Sequence, residues 1–419
     1  DSNVDGDGAV KLATGTGNVS TLQAENITLI GDDVVAGILT ADMGAGDGDG
    51  DVTVRAANDA TFYGAVTAGN VTGAISIEAT EEDVATMAGA TLTAGGNVTV
   101  VSGDDSTFDA PVTSWNYGIS ITAGGDVVTT GNAPLSALDG LGGAVVPGTV
   151  VVTADGSVGF GADVTAGDGV TVTADNNVVI DANITGDYDA GNDGDVTITA
   201  DADSSGAGDV SMGDFLVMGD DVTVRGYNVQ LDQVMADAAN STVTTMDGAG
   251  VVTVVAENDA TLSDDVRAGL LTGDINVTAG RDTSVEGTLT AGANTTADTG
   301  NIWITSGGEV TQSAGENMTA GGEVVILGND GVTLSGTVGA VNAIGGNVTL
   351  GSASGSITMN DAVSANASVW ATAEEDVIVA SGVTVRADAN ANESGDIVFT
   401  ADSNVDGDGA VKLATGTGN

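Results

Sequence analysis

The sequence predicts an all-β fold, a right-handed parallel β-helix (β-solenoid), and three observations carry that prediction. A short phrase, in its commonest form Gly, Asp or Asn followed by V-T-V-x-A, recurs along the whole chain. Corners rich in Gly, Asp and Asn separate its copies. Apolar and polar residues alternate with the period of two that belongs to a strand, and no stretch has the period of a helix.

Taken in chain order, the phrase is DVTVRA at 51–56, NVTVVS at 97–102, GVTVTA at 169–174, DVTITA at 195–200 and DVTVRG at 221–226. It continues as VVTVVA at 251–256, DINVTA at 274–279, NIWITS at 301–306, NVTLGS at 347–352 and DIVFTA at 396–401. In each copy the first and third apolar residues and the closing small residue face inward, and the threonines face outward. A second short apolar phrase follows after a corner, such as DATFYG, NVVIDA, DATLSD or DVIVAS. The corners use Gly, Asp and Asn because these residues tolerate tight turns and bond their own backbone. The two-residue N-G pattern of hairpins is scarce, so each strand is expected to stack on the equivalent strand of the next coil. The starts of the phrases lie about 21 to 31 residues apart, with a mean of about 25, a solenoid period.

Repetition extends to larger scales. Residues 52–69 align with 252–269, and 194–210 with 395–411, which divides the chain into half-units of 1–200 and 201–401. Asp1–Asn18 recurs without change at Asp402–Asn419, so 402–419 is expected to begin the next copy of a tandem unit of 401 residues. Each unit then holds about 16 coils, which at about 4.8 Å per coil is on the order of 77 Å. The expectation is one continuous solenoid over 1–419, with open coils at its ends, inside a longer covalent filament.

Composition limits what such a chain can do. The 419 residues include 65 glycines and 3 prolines, with no cysteine or histidine. Sixty acidic residues face seven basic ones, for a net charge of −53. Hydrophobic residues make up 41%, too many for a disordered acidic tail. Nucleic acid is excluded as a partner, because phosphate binding needs basic clusters that are missing. No apolar run approaches the roughly 18 to 20 residues of a membrane span.

LTAGGNVTVVSGDDSTF (92–108), ITAGGDVVTTG (121–131) and MTAGGEVVILGNDGVTLSG (318–336) resemble the repeats of filamentous haemagglutinin-type exoproteins. These are large β-helical adhesins of the two-partner secretion class. The similarity covers almost the whole chain, although the coil is longer than that family's and its amino-terminal secretion domain lies outside this sequence. The resemblance implies a secreted, surface-associated prokaryotic fibre.

Paired carboxylates are the first chemistry to weigh. Asp32-Asp33, Glu81-Glu82, Asp104-Asp105, Asp220-Asp221, Asp264-Asp265 and Glu374-Glu375 all lie in corners. A catalytic pair is singular whereas these recur, and the only cations are Lys11, Arg55, Arg225, Arg267, Arg281, Arg386 and Lys412. The expectation is a protein without catalytic residues. Calcium fits the corners better. Asp1, Asn3, Asp5 and Asp7 in DSNVDGDG have the spacing of a calcium loop, with Leu12 where its bidentate acid would stand. Asp47, Asp49 and Asp51 in GDGDGD form a similar group of hard oxygen ligands. Twelve N-x-[ST] triplets are glycan acceptor candidates: Asn18, Asn26, Asn70, Asn97, Asn183, Asn240, Asn276, Asn294, Asn317, Asn347, Asn366 and Asn392.

The function expected is a structural extracellular filament for cell-surface attachment or cell–cell or matrix scaffolding. Its first partners are its own tandem units. The alternative is an adhesin stalk that binds cell-surface or matrix glycans, or calcium, at specific sites. An adhesin should carry outward aromatics that break the repeat, and SWNYG, with Trp115 and Tyr117, and the insertion from Pro134 to Pro147 depart most from it.

Overall fold

The computed structural model describes all residues except 1–7, 14–19, 43–47, 139–147, 187–193, 237–248, 270–271, 293–298, 342–345, 390–394, 405–406, 408 and 414–419. Among the described residues there are strands, turns and bends and no helix. The strands form three parallel sheets, the arrangement of a β-solenoid, and the coil count differs only slightly from the 16 or so expected. The chain divides into two compact units, Asp1–Val217 and Met218–Asn419.

One coil of the first unit shows the construction. A short strand Ala60–Phe62 lies in the first sheet, Val66–Thr67 in the second and Ile75–Ala79 in the third. The next coil repeats them as Val84–Thr86, Leu92–Ala94 and Val98–Ser102, residue over residue. In the third sheet Ile75, Val98, Ile119, Val150, Val170 and Val196 form one inward column, each at most 1% exposed. Burial of each such side chain contributes about 1.5–3 kcal/mol. Their outward neighbours Ser76, Thr99 and Ser120 form a hydroxyl row beside it. Most third-sheet strands close on a small buried residue, as in Ala56, Ala79, Ser102, Ala123, Ala154 and Ala174.

An inward column of the first sheet alternates in size. Phe62, Thr86, Phe108, Thr129 and Phe160 pair in that order, and all are at most 2% exposed. Each threonine thus stands between two phenylalanines of the adjacent coils. The hydroxyls are not stranded: Thr86 Oγ1 accepts from the Asp109 N–H at 3.2 Å, and Thr129 Oγ1 from the Gly161 N–H at 3.2 Å.

The second unit uses the same grammar. Its third-sheet strands Val252–Ala256, Ile275–Ala279, Ile302–Ser306, Val324–Gly328, Val348–Ser352 and Val369–Ala373 pair in parallel, with no shift of register. Tight turns link the first and second sheets in both units. Gly89, in the first, has φ 85° where the Ala90 N–H reaches back to the Met87 carbonyl at 2.8 Å. An L side chain rarely adopts that conformation.

Candidate functional site

The polar chemistry of both units is concentrated at the corners that precede each strand. In the first unit Asp59 Oδ1 accepts the Asp83 N–H at 3.3 Å, and Asp83 Oδ1 accepts the Asp105 N–H at 3.0 Å. Asp105 Oδ1 accepts from Asp126 at 2.7 Å, and Asp126 Oδ1 from Ser157 at 2.6 Å. The corner before the third sheet repeats this: Asn26 accepts from Asp51 at 2.8 Å, Asp51 from Ala74 at 2.8 Å, and Asn97 from Gly118 at 3.1 Å. In the second unit Asp259 accepts from Asp282 at 3.1 Å and Asp282 from Glu309 at 2.9 Å. Asp274, Asn301 and Asn347 do the same toward Asn301, Glu323 and Ser368 at 2.8, 2.8 and 3.1 Å. Each side-chain oxygen thus takes a backbone donor one coil later, at the point where a strand begins. A residue with an Asx oxygen is selected there because it satisfies an N–H that the sheet ladder leaves over.

The ladder brings carboxylates close together. Asp83, Asp104 and Asp105 place ligand oxygens within 4.8 Å of one another, a spacing that suits a cation. The charge of Asp105 is the main reason that the Asp104 carboxyl is pushed above its ordinary range, with burial, Asp83 and Asp126 adding to it. The sequence marks Asp104-Asp105 as a pair but gives no sign of Asp83, which joins only through the coil register.

Among the predicted cation ligands, Asp1, Asn3, Asp5, Asp7 and Asp47 lie outside the described residues. Asp49 is exposed, and Asp51 is exposed with one oxygen engaged by Ala74. Asp402, the copy of Asp1, accepts the Gly407 N–H on both oxygens at 3.1 and 3.2 Å. Its half-unit counterpart Asp201 does the same toward Gly206 at 3.0 Å and also accepts from the Ser205 hydroxyl at 2.9 Å. The two aspartates share a left-handed backbone, with φ 58° and 55°. In this loop the first aspartate therefore closes its own turn.

Asn18, Asn240, Asn294 and Asn392 of the glycan candidates also lie outside the described residues. Asn26, Asn70, Asn97, Asn183 and Asn317 are exposed, while Asn276 and Asn347 are half-buried. Asn366 is only 7% exposed, and its Nδ2 donates to the Val341 carbonyl.

Trp115 and Tyr117 are half-buried. Between them Asn116 Nδ2 donates to the carbonyls of Val71 at 2.8 Å and Gly95 at 3.0 Å, so SWNYG ties down the loops of the two preceding coils. The outward aromatics stand elsewhere. Trp303 and Trp370 occupy one outward row of the third sheet in the second unit, each 38% exposed. The signal was present in NIWITS and SVWATA, where tryptophan takes the place that threonine holds in V-T-V.

No family model matches the chain, and no curated protein or solved structure does. The resemblance to haemagglutinin-type repeats therefore rests on the quoted phrases, while the parallel solenoid of stacked repeats is what the fold supports.

Proposed function

We propose that this chain is part of a structural extracellular fibre, a non-catalytic solenoid that serves cell-surface attachment or matrix scaffolding. The observation that carries this reading is the corner ladder. The acidic and amide residues that an enzyme would gather at one place are distributed coil after coil, and there they hold each turn to the next. The repeated words at 1–18 and 402–419 support a filament that is covalent along its length. A gel run after boiling in detergent tests this: the native protein should migrate far above the 40.5 kDa of this chain. A single band near that mass would mean that the fibre is assembled from short chains.

Calcium is the cofactor that this reading favours, held weakly at acidic corners such as Asp83, Asp104 and Asp105. A second reading, the adhesin stalk, is supported by Trp303 and Trp370, which break the hydroxyl pattern of the outer face. Glycosylation at the exposed Asn-x-Thr corners and export to the cell surface belong to the same proposal.

A further inference from the structure

The second unit carries an outer face unlike that of the first. In the first unit the row runs Thr28, Thr53, Ser76, Thr99, Ser120, Val151, Thr171 and Thr197, hydroxylic at every position but Val151 and without an aromatic. The corresponding row of the second unit runs Thr223, Thr253, Asn276, Trp303, Val325, Thr349, Trp370 and Val398, so the two tryptophans set it apart. The two tryptophans are three rungs apart, about 14 Å at the spacing of strands in a sheet. The side chains between them, Val325 and Thr349, are small beside an indole.

The neighbouring row deepens the relief. It runs Thr305, Leu327, Gly351 and Thr372. Leu327 is 39% exposed and leans over Gly351, whose missing side chain leaves a shallow notch on the side away from Leu327. A Cβ on Gly351 would stand 2.7 Å from Leu327 Cδ2. The notch opens into a cavity of about 460 Å³, where Thr372 and Ser403 present exposed hydroxyls. Among the described residues no lysine or arginine lines it.

We infer that this face binds a neutral oligosaccharide, with its sugar rings laid on Trp303 and Trp370 and one substituent seated in the notch at Gly351. The inference rests on the adhesive-stalk reading and supplies its site. An indole offers a flat apolar surface to the C–H face of a sugar, and the adjacent hydroxyls bond its equatorial oxygens. Charge selects among the occupants. A chain of net charge −53 repels a second copy of itself and any anionic polymer, whereas a neutral glycan pays no such penalty.

The test is calorimetric titration of the whole chain with hexasaccharides of β-1,4-glucose and of β-1,4-N-acetylglucosamine, with heparin as the anionic comparison. At least one neutral hexasaccharide should bind. Trp303→Ala or Trp370→Ala should weaken it tenfold or more, and the double variant should abolish it. Gly351→Thr should weaken it as well, by filling the notch, while Trp115→Ala should leave affinity unchanged. Circular dichroism of each variant should match the parent. The inference is overturned if neither hexasaccharide binds, if binding survives in the double variant, or if heparin binds as tightly. It is overturned equally if the double variant alters only self-association in sedimentation, which would make the face a contact between copies. Adhesion of the chain to intact cells separates the two ideas. Absence of adhesion sinks the stalk reading, whereas adhesion that persists in the double variant sinks only this site.

Discussion

Thr283 shows how closely the core polices single atoms. It is 1% exposed, pairs with Ala260 and Val310 in the adjacent coils, and its hydroxyl has no partner among the described residues. Thr283→Val keeps the shape and removes an unsatisfied group, so it should stabilise the protein by about 1 kcal/mol, read as a raised midpoint in urea. Asp201 is the opposite case. Burial pushes its carboxyl up, but the bonds from the Ser205 hydroxyl and the backbone of Gly206, Ala207 and Ser205 outweigh that and hold it below its ordinary range. A depressed folded value means that its stabilisation is present above the unfolded value and is lost as pH falls through the folded one. Asp201→Ala should therefore cost about 1–3 kcal/mol at pH 7, and the difference from the parent should shrink in strong acid. Asp104 has the reverse sign. Its raised carboxyl destabilises the fold above the folded value, and protonation relieves it as pH falls. Asp104→Asn should raise the melting temperature at pH 7 and lose that advantage on acidification. An advantage that grew in acid would contradict the assignment.

The coil is the element, and its strength lies in columns. Phe108 is sandwiched between Thr86 and Thr129, and Phe108→Ala should cost about 3–5 kcal/mol in denaturant unfolding. Thr86→Phe adds an apolar side chain yet should also destabilise, by about 1–3 kcal/mol, because it sets three phenyl rings in consecutive coils. Much of the coil was legible beforehand. V-T-V-x-A states which residues face inward, and the burial of Val52, Val54 and Ala56 around Thr53 and Arg55 agrees with it. The columns were not legible, because they join residues 17 to 34 positions apart through loops of unequal length. Phe62 and Phe108 read as two isolated aromatics until the register inserts Thr86 between them. Trp303 and Trp370 likewise share a row only because three successive loops return the chain to the same register. The calcium spacing of DSNVDGDG was legible, whereas the use of Asp402 to bond Gly407 required the loop's own backbone.

On the scale of the molecule, charge is the dominant unknown that experiment can turn. Sixty acidic residues against seven basic ones leave the fold opposed by its own repulsion. The ion pairs relieve little of it: Arg55–Glu78 at 3.6 Å and Arg267–Asp265 at 2.7 Å are exposed and worth about 0–1 kcal/mol each. Added salt should raise the melting temperature by screening. Millimolar calcium should raise it further at fixed ionic strength, by binding the folded state alone. Identical melting in calcium and in chelator would remove divalent cations from the account, and Asp83→Asn should blunt the calcium response if that cluster contributes.

The corner ladder has a direction. Asp59 serves Asp83, Asp83 serves Asp105, and Asp105 serves Asp126, so the oxygen always belongs to the earlier coil and the donor to the later one. A finished turn therefore holds out side-chain anchors for chain that has not yet arrived, while at the same corners the carbonyls of Asp83, Asp105 and Asp126 accept from Ala60, Val84 and Ser106 of the earlier coil. Such a zip has a preferred slider: each tooth is set before its partner comes, in the order in which a ribosome makes the chain. Released from denaturant all at once, the same sequence has no first tooth, and its similarly patterned coils compete for every anchor. Refolding of the complete chain should accordingly be slower and less faithful than folding from the amino end, and pulse-labelled hydrogen exchange would register that as protection appearing out of coil order.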